Sequence, residues 1–172
     1  MEVYSLDKLI TEARRLASEY RRATGKSLGL TGEIARYDAA RLLGLELIPV
    51  QEGIGYDAMG RGRWEGLRVQ VKGRAIFEEG RPGARLGQLR AGQDWDVLML
   101  VLMDEHFEPT EIHEARRDAV LAAVDDSRES RRSRRGPLSV ARFKAIGRLV
   151  WTCENGLEDD GYWDNRASGS RA

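Results

Sequence analysis

The spacing of hydrophobic and polar positions changes along the chain, and each change marks an element. Leu6, Leu9, Ile10, Ala13, Leu16, Ala17 and Tyr20 recur at helical spacing, with Arg14, Arg15, Arg21 and Arg22 on the opposite face. Ser5 stands where a capping side chain belongs, so the pattern predicts an amphipathic first helix. Gly25 to Gly29 breaks the period; Thr31 then opens a second helix through about Leu43, with Gly44 as its stop. Leu45 to Val50 reads as a strand, and Pro49 places it at a sheet edge or a strand end.

The period then falls to two. Ile54, Tyr56 and Ala58 alternate with Gly55, Asp57 and Met59, and Leu67, Val69 and Val71 alternate with Arg68, Gln70, Lys72 and Arg74. Gly60, Gly62 and Gly66 lie between the two runs and supply the freedom a turn needs, which predicts a hairpin. Residues 78–94 show little periodicity and read as loop, with a turn of helix around Leu86 to Arg90. Val97 to Met103 is apolar without interruption, as in a central strand covered on both faces. A further strand is expected at Glu108 to His113 and a helix over Glu114 to Val124. Ser139 caps a last helix bearing Val140, Phe143, Ile146 and Leu149. Helices, then strands, then helices predict an α/β three-layer fold with a central mixed β-sheet flanked by helices. Residues 1–153 form a single domain on this reading, and 154–172, rich in Gly, Asp, Asn and Ser, form a frayed polar tail.

At 172 residues, 41% hydrophobic and 33% charged, the chain has the composition of a globular protein able to bury a core. No apolar run approaches a membrane span, and no signal peptide pattern opens the chain. Cys153 is the only cysteine, which excludes an intramolecular disulfide and a cysteine-built zinc site and suits a reducing cytoplasm. Net charge is zero, yet the charges are segregated. Residues 60–90 hold eight Arg or Lys against three Glu, and 128–148 hold eight against Glu129 alone. Such a distribution suits a protein that meets a polyanion on one face; arginines that solvate loops and helices would give the same count.

The hairpin carries the candidate chemistry. Gln70 and Lys72, two apart on a strand, share a face, and the hairpin can bring Asp57 to them. Two oxygen ligands suit a hard divalent cation such as Mg2+, with a lysine beside it to orient water or steady phosphate charge. Glu33, in the first turn of the second helix, adds a carboxylate if that helix packs its N-terminus nearby. As a helix-dipole partner alone it contributes about 0.5 kcal/mol.

In order and spacing, Glu33, then Asp57, then Gln70-Val71-Lys72 resembles the PD-(D/E)xK, or restriction-endonuclease-like, nuclease superfamily. In that pattern a helix glutamate precedes an aspartate at a strand start, followed by acid-x-lysine on the next strand. The resemblance covers roughly residues 30–103. It implies a metal-dependent nuclease with Mg2+ or Mn2+ held by Asp57, Gln70 and the backbone carbonyl of Val71. Lys72 would be the catalytic lysine and Glu33 an accessory acid. Gly55-Tyr56-Asp57 replaces the usual Pro-Asp, and Gln70 stands where the family usually has Glu or Asp. That substitution removes a negative charge from the cation site.

Nucleic acid, with DNA preferred, is the partner so implied, without a membrane; a homodimer is consistent with such nucleases, although no residue pattern marks an interface. Arg61, Arg63, Arg74, Arg131, Arg132, Arg134 and Arg135 are the candidates for holding its phosphates. Two other classes fit the same residues: a nucleic-acid-binding or assembly module of this fold without catalysis, and a protein-interaction domain whose charge patches pair between subunits. Weaker candidates are His106 and His113, which lack a partner at recognisable spacing, and Trp64, which reads as turn packing.

Overall fold

The computed structural model describes residues 5–49, 55–77, 85–87, 89, 93–129 and 138–158. Among them the elements run α1 (Leu6–Thr24), α2 (Thr31–Leu43), β1 (Glu46–Leu47), β2 (Ala58–Met59), a 3-10 turn (Gly62–Trp64), β3 (Arg68–Ala75), β4 (Arg85–Leu86), β5 (Val97–Met103), β6 (Pro109–Arg116), α3 (Arg117–Glu129), β7 (Leu138–Ser139), α4 (Val140–Ile146), β8 (Arg148–Thr152) and β9 (Gly156–Leu157). Seven strands form one sheet in the order β1-β2-β3-β5-β6-β8-β9, and β4 pairs with β7 in a separate ribbon. The large sheet is mixed: β3 and β5 run parallel, and the other neighbours are antiparallel. The expected α/β fold, with a mixed sheet flanked by helices, is the observed one.

All seven residues of β5 are buried. Val97, Met99, Val101 and Met103 pack on one side with Ile34, Ala35 and Ala39 of α2. Leu98, Leu100 and Leu102 pack on the other with Val120 of α3 and Phe143 of α4. Each such side chain contributes roughly 1.5–3 kcal/mol on leaving water, so a strand apolar on both faces requires both layers. Strand β3 lies against β5 from Val69↔Val97 to Ala75↔Met103. Gly73 permits α2 to approach it: a Cβ there would lie 2.5 Å from Ala35 Cβ and 3.0 Å from the Thr31 carbonyl oxygen.

Helix α1 departs from the sequence expectation. Ser5 does cap it, accepting from the Lys8 N–H at 3.4 Å. An amphipathic helix ordinarily buries its apolar stripe. Here Leu6, Leu9, Leu16 and Tyr20 are exposed, and the buried residues are Arg14 and Ala17. The reason is a buried ion pair. Arg14 donates from both terminal nitrogens to Asp38 of α2, each at 2.9 Å, and also to the Phe107 carbonyl in the β5–β6 turn. Its Nε lies 3.4 Å from Glu108. Burial alone would lower the guanidinium's pKa, but the hydrogen bonds and charge of Asp38 hold it above its ordinary value. One side chain thus joins two helices and a turn.

Other differences are local. Thr31 is the first helical residue of α2, and the capping position falls to Leu30, with no side-chain cap. Gly44 ends α2 in the left-handed conformation, as expected. Leu86, where a helical turn running to Arg90 was expected, instead ends β4 (Arg85–Leu86), a strand held by β7. β6 continues to Arg116, so α3 starts three residues later than the Ala spacing suggests; the alanines it shares with a strand do not distinguish the two periods. Leu149, assigned to the last helix by its spacing, belongs to β8, because Gly147 ends α4. β9, at Gly156–Leu157, lies within the tail expected to fray.

Asp38→Ala, which leaves Arg14 buried without its carboxylate, should lower stability by about 3–5 kcal/mol in urea denaturation. The double variant Arg14→Met/Asp38→Leu should recover most of that loss. If Asp38→Ala costs under about 1 kcal/mol, the pair does not anchor α1.

Candidate active site

Asp57 immediately precedes β2 and is fixed by the backbone of β3. Its N–H donates to the Val69 carbonyl at 2.8 Å, and its Oδ2 accepts from the Val71 N–H at 2.7 Å. These two contacts bracket Gln70. Its own carbonyl accepts from the Ile48 N–H at 3.1 Å, which extends the β1–β2 pairing. Gly55 lets the chain before β5 pass close by: a Cβ at 55 would lie 2.1 Å from Gln93 Cβ.

The other oxygen of Asp57 faces α2. Arg36 Nε lies 3.7 Å from Oδ1, and the same guanidinium donates to the Ile48 carbonyl and lies 3.9 Å from Glu33. Glu33 is exposed in the first turn of α2. The Asp57 carboxyl is held above the ordinary aspartate range. Burial is the largest cause, and the charge of Glu33 adds to it; the Val71 N–H and the charges of Arg36 and Lys72 oppose it. Asp57, Glu33, Lys72 and Arg36 therefore share one electrostatic neighbourhood.

Gln70 is buried at 6% exposure, and its Oε1 has no hydrogen-bond partner among the described residues. Val69 and Val71 pack in the α2 layer, so by alternation Gln70, Lys72 and Arg74 project to the other side of β3. Asp57 stands across the β2–β3 pairing from Gln70, with Oδ2 on the Val71 N–H at the strand edge and Oδ1 toward Arg36.

The donor types suit a hard divalent cation: a half-buried carboxylate, a buried amide oxygen without a partner, and a strand carbonyl at Val71. The charge is low, since Gln70 is neutral and Arg36 stands beside Asp57. Among the described residues no three His, Cys, Asp or Glu side chains form a metal-holding group.

The remaining candidates divide. Arg61 is paired with Glu46 and Glu65, and Arg63 donates to the Glu158 carbonyl at 2.9 Å while stacking on Trp64. Trp64 is buried in the turn and donates to Glu114, which also accepts from Arg148. Arg74 lies beside β4. Arg131, Arg132, Arg134 and Arg135 lie outside the described residues. Asp96 is structural: it accepts from the Arg68 N–H at 2.8 Å and from its guanidinium at 3.0 Å, aligning the starts of β3 and β5. His106 is exposed, while His113 is buried with Nε2 2.7 Å from Glu111. Sequence reasoning missed Arg36 altogether. Its signal was its place one turn after Glu33 on the same helix face.

The chain matches no protein-family model and no curated protein. No helix among the described residues is long and apolar enough to cross a membrane.

The raised Asp57 pKa predicts a pH dependence. The folded state keeps this proton to higher pH than the unfolded chain does, so the associated stability is lost as pH rises through the folded pKa. Asp57→Asn removes the titration and retains an acceptor for the Val71 N–H. The difference in melting temperature should shift in favour of the variant between pH 4 and pH 7. A difference that moves toward wild type would show that Arg36 outweighs burial.

Proposed function

We propose that the chain is a metal-dependent hydrolase of phosphodiester bonds in nucleic acid, DNA by preference, of the PD-(D/E)xK kind. The observation that carries this reading is the buried, unpartnered Oε1 of Gln70. Lys72 lies two residues along the same strand face, and Asp57 is bonded to the backbone on either side of Gln70. A buried amide oxygen without a donor is costly, and a ligand that completes it removes that cost.

Asp57, Gln70 and the Val71 carbonyl would hold Mg2+ or Mn2+, which when bound supplies Lewis acidity and a more acidic water. Lys72 places a cation where phosphate charge accumulates or where a water must be oriented. The Val71 N–H keeps the Asp57 carboxylate against β3, and the Arg36 charge lies 3.7 Å from its other oxygen. Glu33 stands at the rim as an accessory acid. Because metal ligation requires ionised Asp57, metal affinity should rise as pH climbs through its raised pKa. A reducing cytoplasm is the compartment that fits a chain with one cysteine.

A non-catalytic nucleic-acid-binding module of the same fold is the second reading. Two observations favour it: the neutral Gln70 at an acid position, and Arg36 beside the only half-buried carboxylate of the site.

The two readings separate on Lys72→Ala. It should abolish metal-dependent nicking of plasmid DNA while changing DNA affinity less than about threefold, since one phosphate contact among several is lost. Wild-type nicking by the folded variant contradicts the assignment of Lys72. Binding without nicking by wild type itself supports the second reading. Gln70→Glu should keep or strengthen Mn2+ binding, because it restores a charge at the cation; a marked weakening removes Gln70 from the ligand set.

A further inference from the structure

Arg74 follows Gln70 and Lys72 on the same face of β3 and reaches the β4 ribbon. Its guanidinium is half-buried. Nε donates to the Arg85 carbonyl and Nη1 to the Gly73 carbonyl, both neutral acceptors. Among the described residues no carboxylate pairs with it. That sets it apart from Arg14, Arg36, Arg61, Arg68 and Arg148, each of which stands beside an acid. Burial holds its pKa below the ordinary arginine value, with no acid opposing the shift. A guanidinium taken partly out of water and left without a counter-charge is unfavourable unless an anion completes it.

The third nitrogen, Nη2, borders Gly87, where a Cβ would lie only 2.9 Å away. Absence of a side chain at 87 is what lets the guanidinium occupy this position. Lys72 and Arg74 lie about 6.6 Å apart along the strand, a spacing on the scale of one nucleotide of extended nucleic acid.

We propose that Arg74 is an anion-holding residue that binds the phosphate neighbouring the one addressed by Lys72, so that the ligand is read as a run of at least two phosphates. This rests on the phosphodiesterase reading for the class of ligand; the anion site itself rests on the surroundings of Arg74. A free phosphate and a nucleic-acid phosphate offer the same chemistry, and two arms of the test separate them.

The test uses the full chain without metal. One arm measures the melting temperature as inorganic phosphate replaces chloride at constant ionic strength. The other measures anisotropy of a labelled single-stranded oligonucleotide. Phosphate should raise the melting temperature of wild type and of the control Arg15→Gln on α1, but not that of Arg74→Gln. Oligonucleotide affinity should fall about tenfold in Arg74→Gln, the scale of a lost charge-assisted contact, and recover partly in Arg74→Lys. Gly87→Ala should keep the wild-type melting temperature in chloride, because only a side-chain end must move, while weakening both responses. A folded Arg74→Gln that retains both responses overturns the proposal, as does a wild type that responds to neither ligand. A phosphate response without an oligonucleotide response overturns the nucleic-acid part and leaves a small-anion site. Arg74→Gln should still bind Mn2+ as wild type does in a separate titration, so failure of the metal site and failure of the anion site are told apart.

Discussion

A strand that is apolar on both faces cannot be left open on either, and β5 imposes that condition on the whole chain. Val97 to Met103 need α2 on one side and α3 with α4 on the other, so the sheet has to sit in the middle. β3 is the parallel neighbour of β5 over its full length and is drawn into the same interior. Its alternation then has an unusual consequence. The valines go to the α2 layer as in any half-buried strand, but the polar face, which would be solvated at a sheet edge, is carried inside. Gln70 ends at 6% exposure and Arg74 half-buried for this reason. The polar groups most costly to bury are placed there by the packing of their apolar neighbours.

Asp57 joins a structural contact and a shifted ionisation in one side chain. It replaces a missing strand partner for the Val71 N–H just where β2 begins, so it is part of the sheet. Its two bonds to β3 also flank Gln70, and it lies among the charges of Arg36, Lys72 and Glu33. Burial opposes its ionisation and the cations around it favour it, a balance that leaves the group responsive to a bound cation. The same arrangement explains why charge at the site is low: Arg36, not a second acid, stands opposite Asp57.

What could be read in the sequence follows how local each signal was. The β5 run, the alternation of β3, the Ser5 and Ser139 caps and the Gly44 stop are all set by a few adjacent residues, and they stand where expected. Glu33 and Asp57 also meet in one neighbourhood, because helix and hairpin are adjacent in the chain and packed together. The orientation of α1 was not legible. Its stripe of Leu6, Leu9, Leu16 and Tyr20 has the stronger hydrophobic pattern, but Asp38, 24 residues beyond Arg14, decides which face turns inward. Arg36 was missed for a similar reason: its role depends on the Ile48 carbonyl and on Asp57, which only the folded chain brings to it. β4, β7 and β9 are two-residue strands, too short to show a period.

The proposed function places a cation between Asp57 and Gln70. Calorimetric titration of Mn2+ into wild type and Asp57→Ala at pH 7 addresses it directly. Saturable binding at one site in wild type, absent in a folded Asp57→Ala, is the predicted result. Equal binding by both proteins, or none by wild type, would contradict the proposed cation site.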